Sequence, residues 1–209
     1  MPAECESVGP GPGLRAGARV AAMLGLALAA CVAQETLLPK SPAPPVGIDL
    51  GGDWRMTDDY AAISREIALA VRITDGIDER QLIQQIRKGG PGRAGDTGGV
   101  AHLFIENAPD IRITQARHAL FISFGRSVVE EYRYGELRIA RIGEATAQRS
   151  SGWEGDDYVI ETLDRERMKV TERYRLLDGG RRLERLLTYR SRTMSEVPVR
   201  QVFERAPDS

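Results

Sequence analysis

The C-terminal part of the chain, residues 153–205, constrains the fold most, because its pattern predicts consecutive β-strands with a defined register. Residues 168–176 and 183–189 flank Asp178-Gly179-Gly180, a sequence typical of a tight strand reversal. The turn predicts four facing pairs on one mostly apolar face: Leu176 with Leu183, Tyr174 with Arg185, Glu172 with Leu187, and Val170 with Tyr189. A slip of one residue would expose the apolar side chains, so the alternation specifies this register.

Further strands are predicted on both sides of the glycine-rich segment 89–99. Residues 111–115 and 118–124 form a predicted hairpin with Ala116-Arg117 at its turn, which places Ile113 opposite Leu120. Additional short strands are predicted at residues 48–56, 127–134, 137–142, 144–152 and 157–163. About eight to ten successive strands without a long crossover predict a mostly β fold, either an antiparallel up-and-down β-barrel or a two-layer meander sandwich.

Residues 57–99 interrupt this series of strands. An acidic start, spaced apolar residues and a basic end before Gly89 predict a short helix over residues 78–88. Residues 60–72 fit either a helix or a strand. The segment 89–99 lacks the Lys-Ser/Thr ending of a phosphate-binding loop, so it is predicted to be a flexible loop.

The start of the chain has the pattern of an export signal. Arg15 and Arg19 precede an apolar run at residues 20–30, which falls short of the ~20 residues that span a bilayer. Residues 1–30 are therefore predicted to be a signal peptide. The proline-rich residues 31–47 are interpreted as an extended tether, with an ordered segment wrapped on the domain as the alternative. Residues 48–206 are predicted to form a single β-barrel domain.

The apolar run ends in Leu28-Ala29-Ala30-Cys31, which resembles the lipobox of bacterial lipoproteins. The resemblance implies diacylglyceryl attachment to the Cys31 thiol, cleavage before Cys31 and acylation of the new amino terminus. Two or more acyl chains give stable membrane attachment. Val32 in place of Asp implies sorting to the outer membrane, with the domain facing the periplasm. The alternative is a secreted protein cleaved after Ala33.

Composition argues against several classes of function. A net charge of −1 creates no positive electrostatic field that would attract nucleic acid, so no nucleic-acid partner is expected. No cysteine follows Cys31, and His102 and His118, both in strand-like segments, are too few for a zinc site. The chain has no Gly-x-Ser-x-Gly motif, and residues 150–152 are interpreted as a turn. We therefore predict no catalytic residue, no metal and no cofactor.

A second resemblance starts from Gly52-Asp53-Trp54, which is similar to the Gly-x-Trp signature on the first strand of lipocalins and other calycins. The resemblance implies a barrel in which Trp54 closes one end and packs under an arginine from the last strand. Arg200 and Arg205 are the candidates for that arginine. Together with the lipobox, these residues resemble those of uncharacterised bacterial envelope lipoproteins with a lipocalin-like barrel.

One group of residues is a candidate binding site. The predicted register places Glu172 and Arg185 on the apolar face of neighbouring strands, beside Tyr174. Charged groups in such a place must be paired or must meet a polar group. They form either a structural ion pair or a site where Arg185 and Tyr174 orient a polar head group while Leu187 and Tyr189 hold an apolar part.

These observations lead to two hypotheses for function. The first is a membrane-anchored, periplasm-facing, non-enzymatic protein that binds a small amphipathic ligand or an envelope component. The second is a structural or interaction protein of the envelope, whose filled barrel offers a surface to a partner protein. An interior cavity favours the first hypothesis, and a filled interior favours the second.

Overall fold

The computed structural model describes residues 35–74, 100–125, 129–193 and 195–206. These residues form strands and helices with the following bounds: β1 Gly52–Met56, α1 Tyr60–Thr74, β2 Asp110–Gln115, β3 Ala119–Phe124, β4 Glu130–Arg133, β5 Glu136–Ile142, β6 Ala145–Glu154, β7 Asp157–Asp164, β8 Lys169–Leu177, β9 Arg182–Arg190 and β10 Glu196–Arg205. Short 3₁₀ turns lie at Ala101–Phe104 and Asp178–Gly180. The predicted helix over 78–88, the loop 89–99, the signal peptide and Cys31 lie outside the described residues.

All ten strands belong to one antiparallel sheet, in the order β4-β3-β2-β1-β10-β9-β8-β7-β6-β5. The first and last strands pair with each other, with Trp54 opposite Arg205. The two ends of the sheet, β4 and β5, are consecutive in the chain and are joined by Tyr134-Gly135. The result is a nearly closed up-and-down barrel, which confirms the predicted fold class and rules out the sandwich.

The β8–β9 hairpin has the predicted register. Leu176 faces Leu183, and Tyr174 faces Arg185. Gly179 and Gly180 in the turn have φ values of 66° and 88°, which glycine adopts without steric cost. Buried and partly exposed residues alternate along the whole of β9, so one face points to the core and the other to the outside.

The predicted register of the β2–β3 hairpin was wrong by two residues. Ile113 faces Ile122 rather than Leu120. The turn contains two residues, Arg117 and His118, and is closed by the amide N–H of Ala116, which donates to the carbonyl oxygen of Ala119 at 2.9 Å. Because side chains alternate with a period of two, the same apolar residues still face inward.

The ambiguous segment at residues 60–72 is part of helix α1. The carboxylate of Asp59 accepts a hydrogen bond of 2.9 Å from the amide N–H of Ala61 and caps the helix start. Ile63 and Ala70 are buried, so the helix packs its apolar face on the barrel. No helix in the described parts of the chain has the length and apolar character needed to cross a bilayer.

Residues 35–43, which we call the strap, lie against the outside of the barrel. Ser41 and Trp153 form an isolated antiparallel bridge with backbone hydrogen bonds of 3.2 and 3.0 Å. Leu37 is buried, and its amide N–H donates to Gln148 Oε1 at 3.3 Å. The strap is therefore an ordered segment wrapped on the domain, which corrects the expectation of an extended tether for this part of residues 31–47.

The strap is also held by charge and by the outer face of β6. The ammonium group of Lys40 donates to Glu154 at 2.6 Å and to Glu161 at 2.7 Å. The hydroxyl of Ser150 donates to the carbonyl oxygen of Leu38 at 2.7 Å. Residues 150–152 thus lie inside a strand, and their interpretation as a turn was wrong.

Candidate functional site

The inner face of the barrel carries charged side chains in addition to apolar ones. The strand registers place Tyr158, Tyr174, Arg185 and Gln201 side by side in one row across β7, β8, β9 and β10. The guanidinium-bearing side chain of Arg185 is 0% exposed, and the side chain of Glu172 is 2% exposed. The predicted candidate residues are therefore brought together in the interior.

Arg185 is hydrogen-bonded by protein groups on several sides. Its Nε and Nη2 donate to Glu172 Oε2 at 3.1 and 2.5 Å. Its Nη1 donates to Gln201 Oε1 at 3.1 Å and to the carbonyl oxygen of Glu106 at 2.9 Å. These contacts occupy most of the five N–H donors of the guanidinium, as expected for a buried charge that must be satisfied internally.

Aromatic rings complete this group, which we call the Arg185 cluster (Glu172, Tyr174, Arg185 and Gln201). The Tyr174 hydroxyl donates to Glu172 Oε2 at 2.9 Å. The guanidinium lies 4.5 Å from the ring centre of Phe124. Burial by itself lowers the pKa of Arg185, but Tyr174 and Glu172 raise it above its usual value, so the side chain stays charged.

A second group, the Arg149 cluster (Glu130, Tyr132 and Arg149), repeats this arrangement. Arg149 is 2% exposed; its Nη1 donates to Glu130 and its Nη2 donates to the carbonyl oxygen of Phe104 at 2.9 Å. The Tyr132 hydroxyl donates to Glu130 at 2.7 Å. Sequence reasoning missed this cluster.

The missed signal is a repeated Glu-x-Tyr-Arg pattern, present at residues 130–133 on β4 and 172–175 on β8. Residues two apart on a strand point to the same face, so in both strands the tyrosine hydroxyl reaches the preceding glutamate. In both clusters an arginine from another strand then pairs with that glutamate. The repeat was visible in the sequence, but the arginine partners were not.

The two arginines meet the same segment of chain, residues 100–107, which we call the inner segment. They donate to the carbonyl oxygens of Phe104 and Glu106. At its start, the carboxylate of Asp164 accepts from the amides of Val100 and Ala101 at 2.6 and 3.0 Å. Side chains, and not the backbone of a neighbouring strand, thus form these hydrogen bonds with the inner segment. His102 lies in a 3₁₀ turn, although the sequence placed it in a strand-like segment.

Tyr189 differs from the other interior tyrosines. It is 0% exposed, as are its neighbours Val170 and Leu187, and it faces Val170 across β8 and β9. Its hydroxyl has no hydrogen-bond partner among the described residues. Burial raises the pKa of Tyr189 above its ordinary value, so the side chain is a neutral donor. An unpaired buried hydroxyl costs about 1–3 kcal/mol, so this position requires an explanation.

Removal of the Tyr189 hydroxyl is expected to raise the stability of the empty protein. Tyr189→Phe deletes an unsatisfied buried polar atom, so the free energy of unfolding should rise by up to about 1–3 kcal/mol. Tyr174→Phe, the matched variant on β8, deletes a hydrogen bond to a charged carboxylate and should cost about 1.5–3 kcal/mol. Urea denaturation of both variants measures this difference, and equal losses would show that the Tyr189 hydroxyl is satisfied.

Trp54 and Arg205 lie opposite each other at the barrel end formed by the start of β1 and the end of β10. The guanidinium of Arg205 lies 4.3 Å from the centre of the Trp54 ring, and its Nη1 donates to the carbonyl oxygen of Gly51 at 2.6 Å. Arg205 is therefore the arginine that packs on the tryptophan. Arg200 points outward, where it pairs with Glu184, so it does not take the barrel-closing role expected for it.

No group of three or more His, Cys, Asp and Glu side chains in the described ranges is arranged to hold a metal ion. Two surface pockets lie away from the interior residues. One, of about 610 Å³, lies beside the Asp178–Gly180 turn and Arg205, and the other, of about 480 Å³, lies between the strap and Lys169. Neither contains a residue of the Arg185 or Arg149 cluster.

Comparison with known proteins gives likenesses among solved structures alone, since no family model and no curated protein matches the chain. A secretory abundant heat soluble protein from Ramazzottius varieornatus is 14% identical with a TM-score of 0.45, covering 78% of this chain and 100% of that chain. Secretory abundant heat soluble protein 4 from the same organism is 10% identical with a TM-score of 0.45, covering 82% and 100%. A single-residue mutant of the fluorescent protein UnaG is 15% identical with a TM-score of 0.43, covering 76% and 97%.

Proposed function

We propose that this chain is a non-enzymatic, membrane-anchored envelope protein that binds a small amphipathic molecule inside its barrel. The observation that carries the proposal is the Tyr189 hydroxyl, which is fully buried and unpaired among the described residues. It lies beside the apolar side chains of Val170 and Leu187, on the same inner face as the Glu172–Arg185 pair. Apolar walls with a few placed polar groups are the arrangement by which binding sites orient a ligand.

The charges of the interior define the kind of ligand. Glu172 offsets Arg185, and Glu130 offsets Arg149, so neither guanidinium has an excess positive charge to offer. A ligand with a full negative charge would therefore meet a carboxylate close to each arginine, which is unfavourable at short range. We assign a ligand with a neutral hydrogen-bond acceptor, such as an ester or amide carbonyl, that meets the Tyr189 hydroxyl while its apolar part packs on Leu187.

Native mass spectrometry tests ligand binding on the full-length protein extracted from its own membrane in mild detergent. The wild type should carry a bound small molecule, and Tyr189→Phe should lower its occupancy about 2- to 10-fold, which corresponds to one lost hydrogen bond. Tyr134→Phe is a control, because that hydroxyl already donates to the carbonyl oxygen of Ala116. Absence of a bound molecule from every preparation, or equal occupancy in all three proteins, would overturn the proposal.

Membrane anchoring and envelope location rest on the lipobox-like residues that end at Cys31. Cys31→Ser removes the only thiol to which diacylglycerol would be attached. The variant should lose incorporation of labelled palmitate and pass from the membrane to the soluble fraction. Membrane fractionation and intact mass measure these outcomes, and unchanged retention of the variant would contradict the anchor.

The filled surroundings of the arginines favour a second candidate, an interaction protein of the envelope without a ligand. Arg185 already donates to Glu172, Gln201 and the inner segment, so the protein itself supplies acceptors for most of its N–H groups. In this case the extracted protein would carry no small molecule. Tyr189→Phe would then change the stability of the protein and nothing else.

A further inference from the structure

Two turns lie at the same end of the barrel, which we call the helix end because β1 runs towards it and into α1. β7 and β9 finish there, at residues 164 and 190, and β8 and β10 start there. The turns meet, because Arg192 Nε donates to the carbonyl oxygen of Glu166 at 3.1 Å. β1 is antiparallel to β10 and runs towards this end before α1 follows it; its last residue, Met56, lies opposite Phe203.

The N-terminal strap reaches the barrel at the helix end. The carboxylate of Glu35 pairs with the guanidinium of Arg190, the last residue of β9. Three residues, 32–34, separate Glu35 from Cys31. At about 3.5 Å per residue, this length spans no more than ~14 Å even when fully extended. A lipid on Cys31 would therefore hold the helix end within ~14 Å of the leaflet surface, about twice the depth of a headgroup layer.

The helix end exposes large apolar side chains next to arginines. Three of the eight exposed large hydrophobic residues in the described ranges lie there: Leu103, Val129 and Ile142, which are 50%, 58% and 51% exposed. Arg165 and Arg192 are exposed in the two turns. Glu144 and Glu166 are exposed at the same end, so the apolar side chains lie among charges of both signs. Exposed apolar side chains together with arginines can contact the headgroup region of a bilayer.

From the strap, the apolar residues and the arginines we infer that the helix end is a membrane-contact surface that lies on the leaflet holding the Cys31 lipid. The inference rests on the proposed lipid anchor. Leu103 and Ile142 enter the headgroup region, and Arg165 and Arg192 pair with lipid phosphates. The Trp54–Arg205 end then points away from the membrane.

Fluorescence quenching in reconstituted vesicles tests this orientation. Full-length lipidated protein is placed in vesicles of phosphatidylethanolamine and phosphatidylglycerol that contain lipids with a headgroup-region quencher. Thr193→Cys labels the helix end and Asp156→Cys labels the opposite end, each with bimane, since residues 32–209 contain no cysteine. Quenching should be several-fold stronger at position 193. Equal quenching, or stronger quenching at position 156, would overturn the inference.

Two matched variants on β5 separate specific contact from mere proximity. Ile142→Ser at the helix end should reduce quenching of the label at position 193. Leu137→Ser, which alters a similarly exposed residue at the other end of the same strand, should leave it unchanged. Equal effects of both would contradict contact through Ile142.

Intact mass distinguishes failure of this inference from failure of the proposed anchor. A mature protein whose mass shows no acyl chains would refute the proposed anchor. A protein with acyl chains but equal quenching at both labels would refute the orientation alone.

Discussion

Glu172→Leu is expected to lower the free energy of unfolding by about 3–5 kcal/mol, because it leaves a buried arginine without its counter-charge. The Arg185 guanidinium is 0% exposed and makes two of its hydrogen bonds to Glu172. The variant also removes the acceptor of the Tyr174 hydroxyl. Urea denaturation followed by tryptophan fluorescence measures the loss.

Two further variants show whether burial causes the loss. Glu184→Leu removes a glutamate that pairs with Arg200 on the outer face, and it should cost ~0–1 kcal/mol. The double variant Glu172→Leu with Arg185→Met removes both charges and should be clearly more stable than Glu172→Leu alone. If Glu172→Leu costs no more than Glu184→Leu, the interior pair is solvated and the structure of the cluster is wrong.

Gly152→Ala is expected to destabilise the protein and to release the strap. A Cβ atom at this position would lie 2.7 Å from the Ser41 carbonyl oxygen and 2.9 Å from the Gly135 amide nitrogen, both backbone atoms that move only with their chain segments. The φ of 153° is unfavourable for other residues and adds about 1–3 kcal/mol of strain. Trypsin should then cleave after Lys40, whose side chain is 7% exposed in the wild type.

Gly155→Ala, in the turn between β6 and β7, is the matched control. Its φ is also positive, at 61°, but an added Cβ meets no atom within 4 Å. This variant should cost only about 1–2 kcal/mol and should leave Lys40 protected. Cleavage at Lys40 in both variants, or in neither, would show that Gly152 does not hold the strap.

The sequence predicted the β8–β9 hairpin correctly because its two faces differ in polarity. One side of β9 meets the core and the other meets solvent, so alternation of residues such as Leu183 and Glu184 defines the register. In the β2–β3 hairpin the turn residues are Arg117 and His118, with no glycine, so the amino-acid types typical of turns could not locate it.

The strap explains why other features were missed. Most of β6 and β7 is buried on both faces, since the strap and its partners cover part of their outer side, and this burial removes the alternation that marks a strand. Ser150 and Ser151 therefore resembled a turn.

The candidate pair of Glu172 and Arg185 was found because both lie in one predicted hairpin. The contacts of Arg149 with Glu130 and Phe104 join residues 19 and 45 positions apart, which local patterns do not reveal.

The seam between β4 and β5 has a consequence for how the interior is reached. In the described residues no backbone ladder joins these strands; Arg138 reaches across to Glu130 at 3.2 Å and to the carbonyl oxygen of Glu131 at 3.4 Å. Opening the wall along this line would break the Arg149–Glu130 ion pair and the hydrogen bonds that the Ser151 and Tyr158 hydroxyls donate to the carbonyl oxygens of Arg133 and Tyr132. The nine strand pairings of the described residues would stay intact, so access to the interior along the seam costs side-chain contacts, some of them buried, and no strand pairing.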